Sequence, residues 1–184
     1  PGTEQVTAEV VNGQDIVLSI DIDMQQKLEE ALALRVEEVQ GSGGSAMLMD
    51  SATGEIYACS SSPTFDITDL TKIEEGATNL SSISSSYEPG STMKAVTMLA
   101  ALEEGIVNPD TEYFCPAALK VDDYTITDSH ERGDETMSAT TIIADSSNVG
   151  VSLIARDMGF EKLYEYIQKY QLTETTGVDY PGEA

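Results

Sequence analysis

Ser91 and Lys94 stand three residues apart in Ser91-Thr92-Met93-Lys94, directly after Tyr87-Glu88-Pro89-Gly90 and at the start of an apolar helical run. A serine hydroxyl is a weak nucleophile at neutral pH and needs a base beside it. Positions i and i+3 share a face of a helix, so this lysine can reach the serine oxygen. It accepts a proton only when neutral, and burial among Met and Val side chains lowers an ammonium pKa. A helix N-terminus adds unpaired amides and a positive dipole end, both suited to the oxyanion formed when Ser91 attacks a carbonyl. Pro89-Gly90 suits the sharp entry of the chain into that helix. The pattern describes acyl transfer through serine, with lysine in the place histidine takes in the better-known triads. Ser-x-x-Lys alone arises easily by chance. The competing reading is that Ser91 or Thr92 caps a helix and Lys94 lies at the surface.

A second element, Ser146-Ser147-Asn148, falls at a junction between helical segments. The Ser146 hydroxyl and Asn148 amide can converge on Lys94 and hydrogen-bond a substrate amide. Alone, Ser-x-Asn reads equally as a helix cap or turn. The single histidine, His130, reads as an exposed loop residue near Asp128 and takes no catalytic role; Asp128 reads as a turn residue.

The chain of 184 residues carries 33 acidic and 9 basic side chains, a net charge of −24. Phosphate contacts need Lys and Arg, so nucleic acid is a poor partner and none is expected, and membrane recruitment through a basic patch is equally unsupported. Solubility is the plain consequence of the charge. No run of 18 apolar residues is present, so no membrane span is expected. Neither a signal peptide nor an initiator Met opens the chain, and Pro1-Gly2-Thr3 reads as the middle of a longer protein. One His cannot complete a zinc set with Cys59 and Cys115, and no CxxC occurs, so no metal is expected. Cys59 ends a strand-like run and reads as a buried thiol; a Cys59–Cys115 disulfide is the alternative.

The positioning elements follow from pattern. Residues 1–13 read as a linker or the tail of a preceding domain. A strand is expected at 15–20, then a helix capped by Asp21 or Asp23, with Met24, Leu28, Ala31, Leu32, Val36 and Val39 on one face. The segments at 45–49 and 55–60 flank a turn and make a β-hairpin. Residues 60–90 read mostly as loop, with a helical piece near 69–75. The helix at 91–104 carries Met93, Val96, Met98, Leu99 and Leu102 around much of its girth, so it should be buried. Short strands and turns fill 110–135. Helices are expected at 136–147, 149–158 and 160–170.

Several stretches in order, DIVLSIDIDMQQKLEEAL, GGSAMLMDSATGEIYACSSSPTFD, YEPGSTMK, SSNVG and TGVDYPGEA, resemble the transpeptidase domain of class B penicillin-binding proteins over most of residues 14–184. The resemblance implies an α+β penicillin-binding/serine β-lactamase-like fold, a five-stranded antiparallel sheet with flanking helices beside an all-helical lobe. It implies a D,D-transpeptidase that cross-links peptidoglycan. Ser91 would attack the penultimate D-Ala carbonyl of a stem peptide, releasing D-Ala and leaving an acyl-enzyme for a neighbouring strand's amine. Lys94 would be the general base, Ser146 would relay the proton, Asn148 would hold the peptide amide, and the Ser91 amide would form half of the oxyanion hole. β-Lactams would block Ser91. Neither metal nor organic cofactor is implied. The parent would be membrane-anchored on the outer face of the bacterial cytoplasmic membrane, within a cell-wall synthesis complex.

Two departures qualify the match. No Lys-[Ser/Thr]-Gly occurs, and Asn79-Leu80-Ser81 stands where the family commonly has Asn-Arg-Ala. Residues 14–184 therefore read as the N-terminal portion of the domain, without its C-terminal strands. The rest of the sheet would come from a missing segment or another chain, and residues 1–184 alone are expected not to be a competent transpeptidase. The rival readings are a serine β-lactamase, and a β-lactam sensor or non-catalytic scaffold domain.

Overall fold

The computed structural model describes residues 11–183, so most of the expected 1–13 linker lies outside the described residues. The chain divides into two compact units, one reaching to Ser85 and taking in residues from Tyr180 onward, the other spanning Ser86–Asp179.

In the first unit, helix α1 (Ile22–Glu38) starts where the Asp21 side chain accepts from the Met24 amide. Of the two expected caps, Asp21 is the one used. Strands β1 (Gly44–Met49) and β2 (Ile56–Ser62) pair antiparallel, as the hairpin pattern requires. Their turn is held by Asp50, which accepts from the amides of Ala52 and Thr53, and by Gly54 in the left-handed region (φ 79°). Leu32 and Val36 of α1 reach so near Gly44 that a β-carbon there would lie 3.2 and 3.1 Å from them. The expected helical piece near 69–75 is a 3₁₀ turn at Leu70–Lys72, and a single helical turn, α2 (Ser81–Ser84), follows.

The expected strand at 15–20 does not form, and Ile16, Val17 and Leu18 are exposed. A strand needs a free ladder beside it, and α1 takes one site on β2: the Gln25 amide accepts from Cys59 N–H (2.8 Å) and donates to Cys59 C=O (2.9 Å). The preceding segment only touches β2, through Ser19 to the Ile56 carbonyl and the Asp21 amide to the Tyr57 carbonyl.

In the second unit a 3₁₀ turn (Gly90–Thr92) leads into α3 (Met93–Glu103). Strands β3 (Glu112–Cys115), β4 (Ala118–Val121), β5 (Tyr124–Thr127) and β6 (Glu135–Ser138) form two antiparallel pairs, β3 with β6 and β4 with β5. Helices α4 (Ala139–Ala144), α5 (Asn148–Met158) and α6 (Phe160–Lys169) complete it. The helix expected from 136 begins three residues later. Met137 turns inward in β6 opposite Tyr113, and Ser138 then caps α4 by accepting from Thr141 N–H. Ladder partners in β3, more than twenty residues upstream, outweigh the weak helix propensity of Thr and Ser there.

The core joins Met98 and Ala101 of α3 to Met137, Ile142, Val149 and Ile154. α3 is less buried than its apolar girth suggested, since Leu99 and Leu102 are 47% and 42% exposed. Both cysteines are free thiols. Cys115 is the buried one; Cys59 is half-buried, its sulfur 2.9 Å from Ser82 Oγ. The described residues hold helices and three two-stranded antiparallel sheets, an α+β fold in which no five-stranded sheet is assembled.

Candidate active site

Gly90 enters the 3₁₀ turn with φ 61°, a conformation that L side chains resist, and so aims the chain at Ser91. Ser91 lies in that turn, exposed, and Lys94 follows in the first turn of α3. No side chain caps the 3₁₀ turn or α3, so the leading amides of this helix are not spent on a capping serine or threonine. The Thr92 hydroxyl donates to the Pro89 carbonyl and braces the entry. Among the described residues the Ser91 hydroxyl has no hydrogen-bond partner of its own.

Lys94 and Ser146, 52 residues apart, are brought together. The Lys94 ammonium donates to Ser146 Oγ at 3.0 Å and to the Ser146 carbonyl. Ser146 presents both oxygens because it sits in the left-handed region (φ 54°), between the end of α4 and the start of α5. Such a conformation costs a β-carbon-bearing residue on the order of 1 kcal/mol, and persists where surrounding contacts impose it. Burial lowers the pKa of Lys94, and the negative charge of Asp128 partly offsets that fall.

Asn148 is the first residue of α5, and the hydrogen bonds of Lys94 among the described residues go to Ser146 and not to it. Its Nδ2 donates to the Thr127 carbonyl at 2.9 Å. Ser147 is fully buried and caps α5, its Oγ accepting from Gly150 N–H while donating to Asp128. His130 is exposed, as expected.

The residue underrated by sequence is Asp128. Its side chain is 2% exposed and pairs with Arg132 at 2.6 Å, itself 8% exposed. It also accepts from Ser147 Oγ (2.9 Å) and Val149 N–H (3.0 Å). Burial alone would raise this carboxyl; the bonds from Val149, Arg132 and Ser147 and the guanidinium charge outweigh it and hold the pKa below the usual aspartate value. Nothing in the sequence flags the pair, because residues 128–134 form a loop in which four-residue spacing implies no contact.

A serine at a helix start, a lysine one turn on with its pKa lowered, and a second serine against that lysine make a set of groups able to perform acyl transfer. Residues 44–184 match the penicillin binding protein transpeptidase domain, and the chain belongs to that family. It is 32% identical over its whole length to penicillin-binding protein PbpB of Mycolicibacterium smegmatis, covering 28% of that protein. It is 29% identical to peptidoglycan D,D-transpeptidase FtsI of Escherichia coli K12, over 92% of this chain and 28% of the relative. The crystal structure of penicillin binding protein 3 from Mycobacterium tuberculosis complexed with aztreonam superposes with a TM-score of 0.87 at 31% identity, covering 98% of this chain and 40% of that one. The chain thus spans less than a third of the length of the curated relatives PbpB and FtsI.

Proposed function

We propose that the protein containing this chain is a D,D-transpeptidase that cross-links peptidoglycan through an acyl-enzyme at Ser91. Lys94 is the general base, Ser146 relays the proton to the leaving nitrogen, and Asn148 binds the peptide amide. The observation that carries this reading is the contact of Lys94, its pKa lowered by burial, with the Ser146 hydroxyl at 3.0 Å. In the reaction, neutral Lys94 takes the Ser91 proton as Oγ bonds to the penultimate D-Ala carbonyl carbon. The proton passes through Ser146 to the departing D-Ala nitrogen as the peptide bond breaks. An acceptor amine then attacks the ester carbonyl, and its proton passes through the base to Ser91 Oγ as the ester C–O bond breaks, restoring the free serine and the neutral lysine. Asn148 can bind peptide through its amide oxygen, which accepts no hydrogen bond among the described residues, while its Nδ2 stays on the Thr127 carbonyl.

Names support the substrate class: relatives are called peptidoglycan D,D-transpeptidases, and the similar Mycobacterium tuberculosis protein was crystallised with aztreonam and with ampicillin. β-Lactams would acylate Ser91 in the same way. An extracytoplasmic site, a membrane anchor and a place in a cell-wall synthesis complex belong to this reading. Among the described residues no helix is long and apolar enough to cross a membrane. The exposed Ile16–Leu18 and Met47–Met49 suit further strands, from a segment outside this chain or from another chain.

Labelling the whole protein with a fluorescent penicillin tests the reading. One equivalent of stable adduct on Ser91, lost in Ser91→Ala, is expected. Sustained turnover of the drug would make it a β-lactamase, and absence of label a non-catalytic scaffold. The 184-residue chain alone is expected to label slowly or not at all.

A further inference from the structure

Three consecutive residues, Ser147, Asn148 and Val149, are tied to two consecutive residues, Thr127 and Asp128, at the end of β5. Asn148 Nδ2 donates to Thr127 C=O, and Ser147 Oγ and Val149 N–H donate to the Asp128 carboxylate. Arg132 fixes that carboxylate from the other side, and is itself anchored by donating to the carbonyls of Cys115 (2.9 Å) and Gly133 (3.0 Å). The clamp begins one residue after Ser146. With Ser147 to Val149 held, and Ser146 N–H bonded to the Ile143 carbonyl, the chain at 146 must turn through its left-handed conformation. That turn is what puts the Ser146 hydroxyl and carbonyl on Lys94.

We propose that Asp128, locked by Arg132, is the positioning residue of this active site: it holds Ser146 against Lys94. Asp128 bonds neither Ser91 nor Lys94; it works through Ser147 and Val149, and through them on Ser146. The proposal rests on the reading of Lys94 as base. The other charged groups around α3 leave this role to Asp128. Glu103, Glu104, Lys162 and Lys169 gather at the C-terminal end of α3 and on α6, and Asp145 at the end of α4 is exposed. The field of Asp128 favours the ammonium form of Lys94 and counteracts its burial. Removing the carboxylate charge has two separable consequences. The Ser146 turn loosens, which slows acylation at every pH. Lys94 loses a proton more easily, which moves the rising limb of the pH–rate profile to lower pH.

The test measures penicillin acylation rate against pH for the whole protein, with Asp128→Asn and the double variant Asp128→Asn/Arg132→Gln. In the double variant the two side-chain amides can bond each other, so no buried guanidinium is left unpaired. A plateau fall of about 10–100-fold together with a downward shift of the limb is expected in any variant that keeps a cooperative melt. A limb that stays in place, even with a slower plateau, would reduce Asp128 to a structural residue and overturn the proposal. So would unfolding of both variants. Ser91→Ala is run alongside: if it still acylates, the active-site reading itself fails, whatever Asp128 does.

Discussion

Lys94 Nζ lies 3.0 Å from Ser146 Oγ, and Ser146 makes that contact from a left-handed backbone conformation that a serine adopts only under constraint. Position 146 therefore trades backbone comfort for the placement of two oxygens. Ser146→Gly separates the two. Glycine accepts φ 54° without strain but has no hydroxyl. Stability should stay within about 1 kcal/mol of wild type, because strain relief offsets the extra freedom of the unfolded chain. Penicillin acylation should fall by about 100-fold or more. Thermal unfolding and labelling kinetics on the same preparation check both halves.

Lys94 predicts the sign of the pH dependence. Only the neutral amine can accept the Ser91 proton, so acylation should accelerate as pH rises. The rise should be centred below the usual lysine value, since burial lowers this pKa. Lys94→Arg keeps a cation that cannot lose its proton near neutrality, and should flatten the profile at a rate about 10²–10⁴-fold lower. A rate that instead falls with rising pH would show that the ammonium form is the active one.

Gly150 packs so close to Ile142 that a β-carbon at 150 would sit 2.5 Å from Ile142 Cγ1 and 2.8 Å from its Cγ2. Ile142 is fully buried and branched at Cβ, so it has little room to yield. Gly150→Ala should destabilise by about 1–3 kcal/mol through overpacking between α4 and α5. Adding Ile142→Ala should cost less than the sum of the two single changes. Chemical denaturation of the four proteins of this cycle reads the coupling directly.

Asp128 sets an acid limit. Its folded-state pKa is held below the usual aspartate value, so its stabilising contribution is complete above the unfolded-state pKa of about 4. That contribution disappears as pH falls through the lower, folded-state value. The stability gap between wild type and Asp128→Asn should be largest near neutrality and close progressively below about pH 4. A melting series from pH 7 to pH 2 checks this, and a gap that widens in acid would contradict it.

Local elements were legible in the chain because their causes are local. The hairpin of β1 and β2 follows from apolar segments around an Asp-to-Gly turn, and the cap at Asp21 acts within three residues. Gly90-Ser91 at the head of α3 and the Ser146-Ser147-Asn148 junction were likewise readable, since a left-handed glycine and a helix cap depend on immediate neighbours. The order of short motifs placed the chain in its family for the same reason.

Distance in sequence decided the rest. Residues 15–20 have strand-like composition, but a strand exists only if a ladder partner accepts it, and Gln25 holds that position at Cys59. Residues 136–138 became a strand because β3 stood opposite. Asp128 looked like a turn residue until folding enclosed it with Arg132, Ser147 and Val149. By itself the sequence determined which residues could act as nucleophile, base and relay, because those capacities belong to the side chains. Whether the amine meets the second serine, and how far its proton affinity shifts, only the tertiary structure decided. Both depend on burial and on a carboxylate more than thirty residues away, and neither is a property of any local segment.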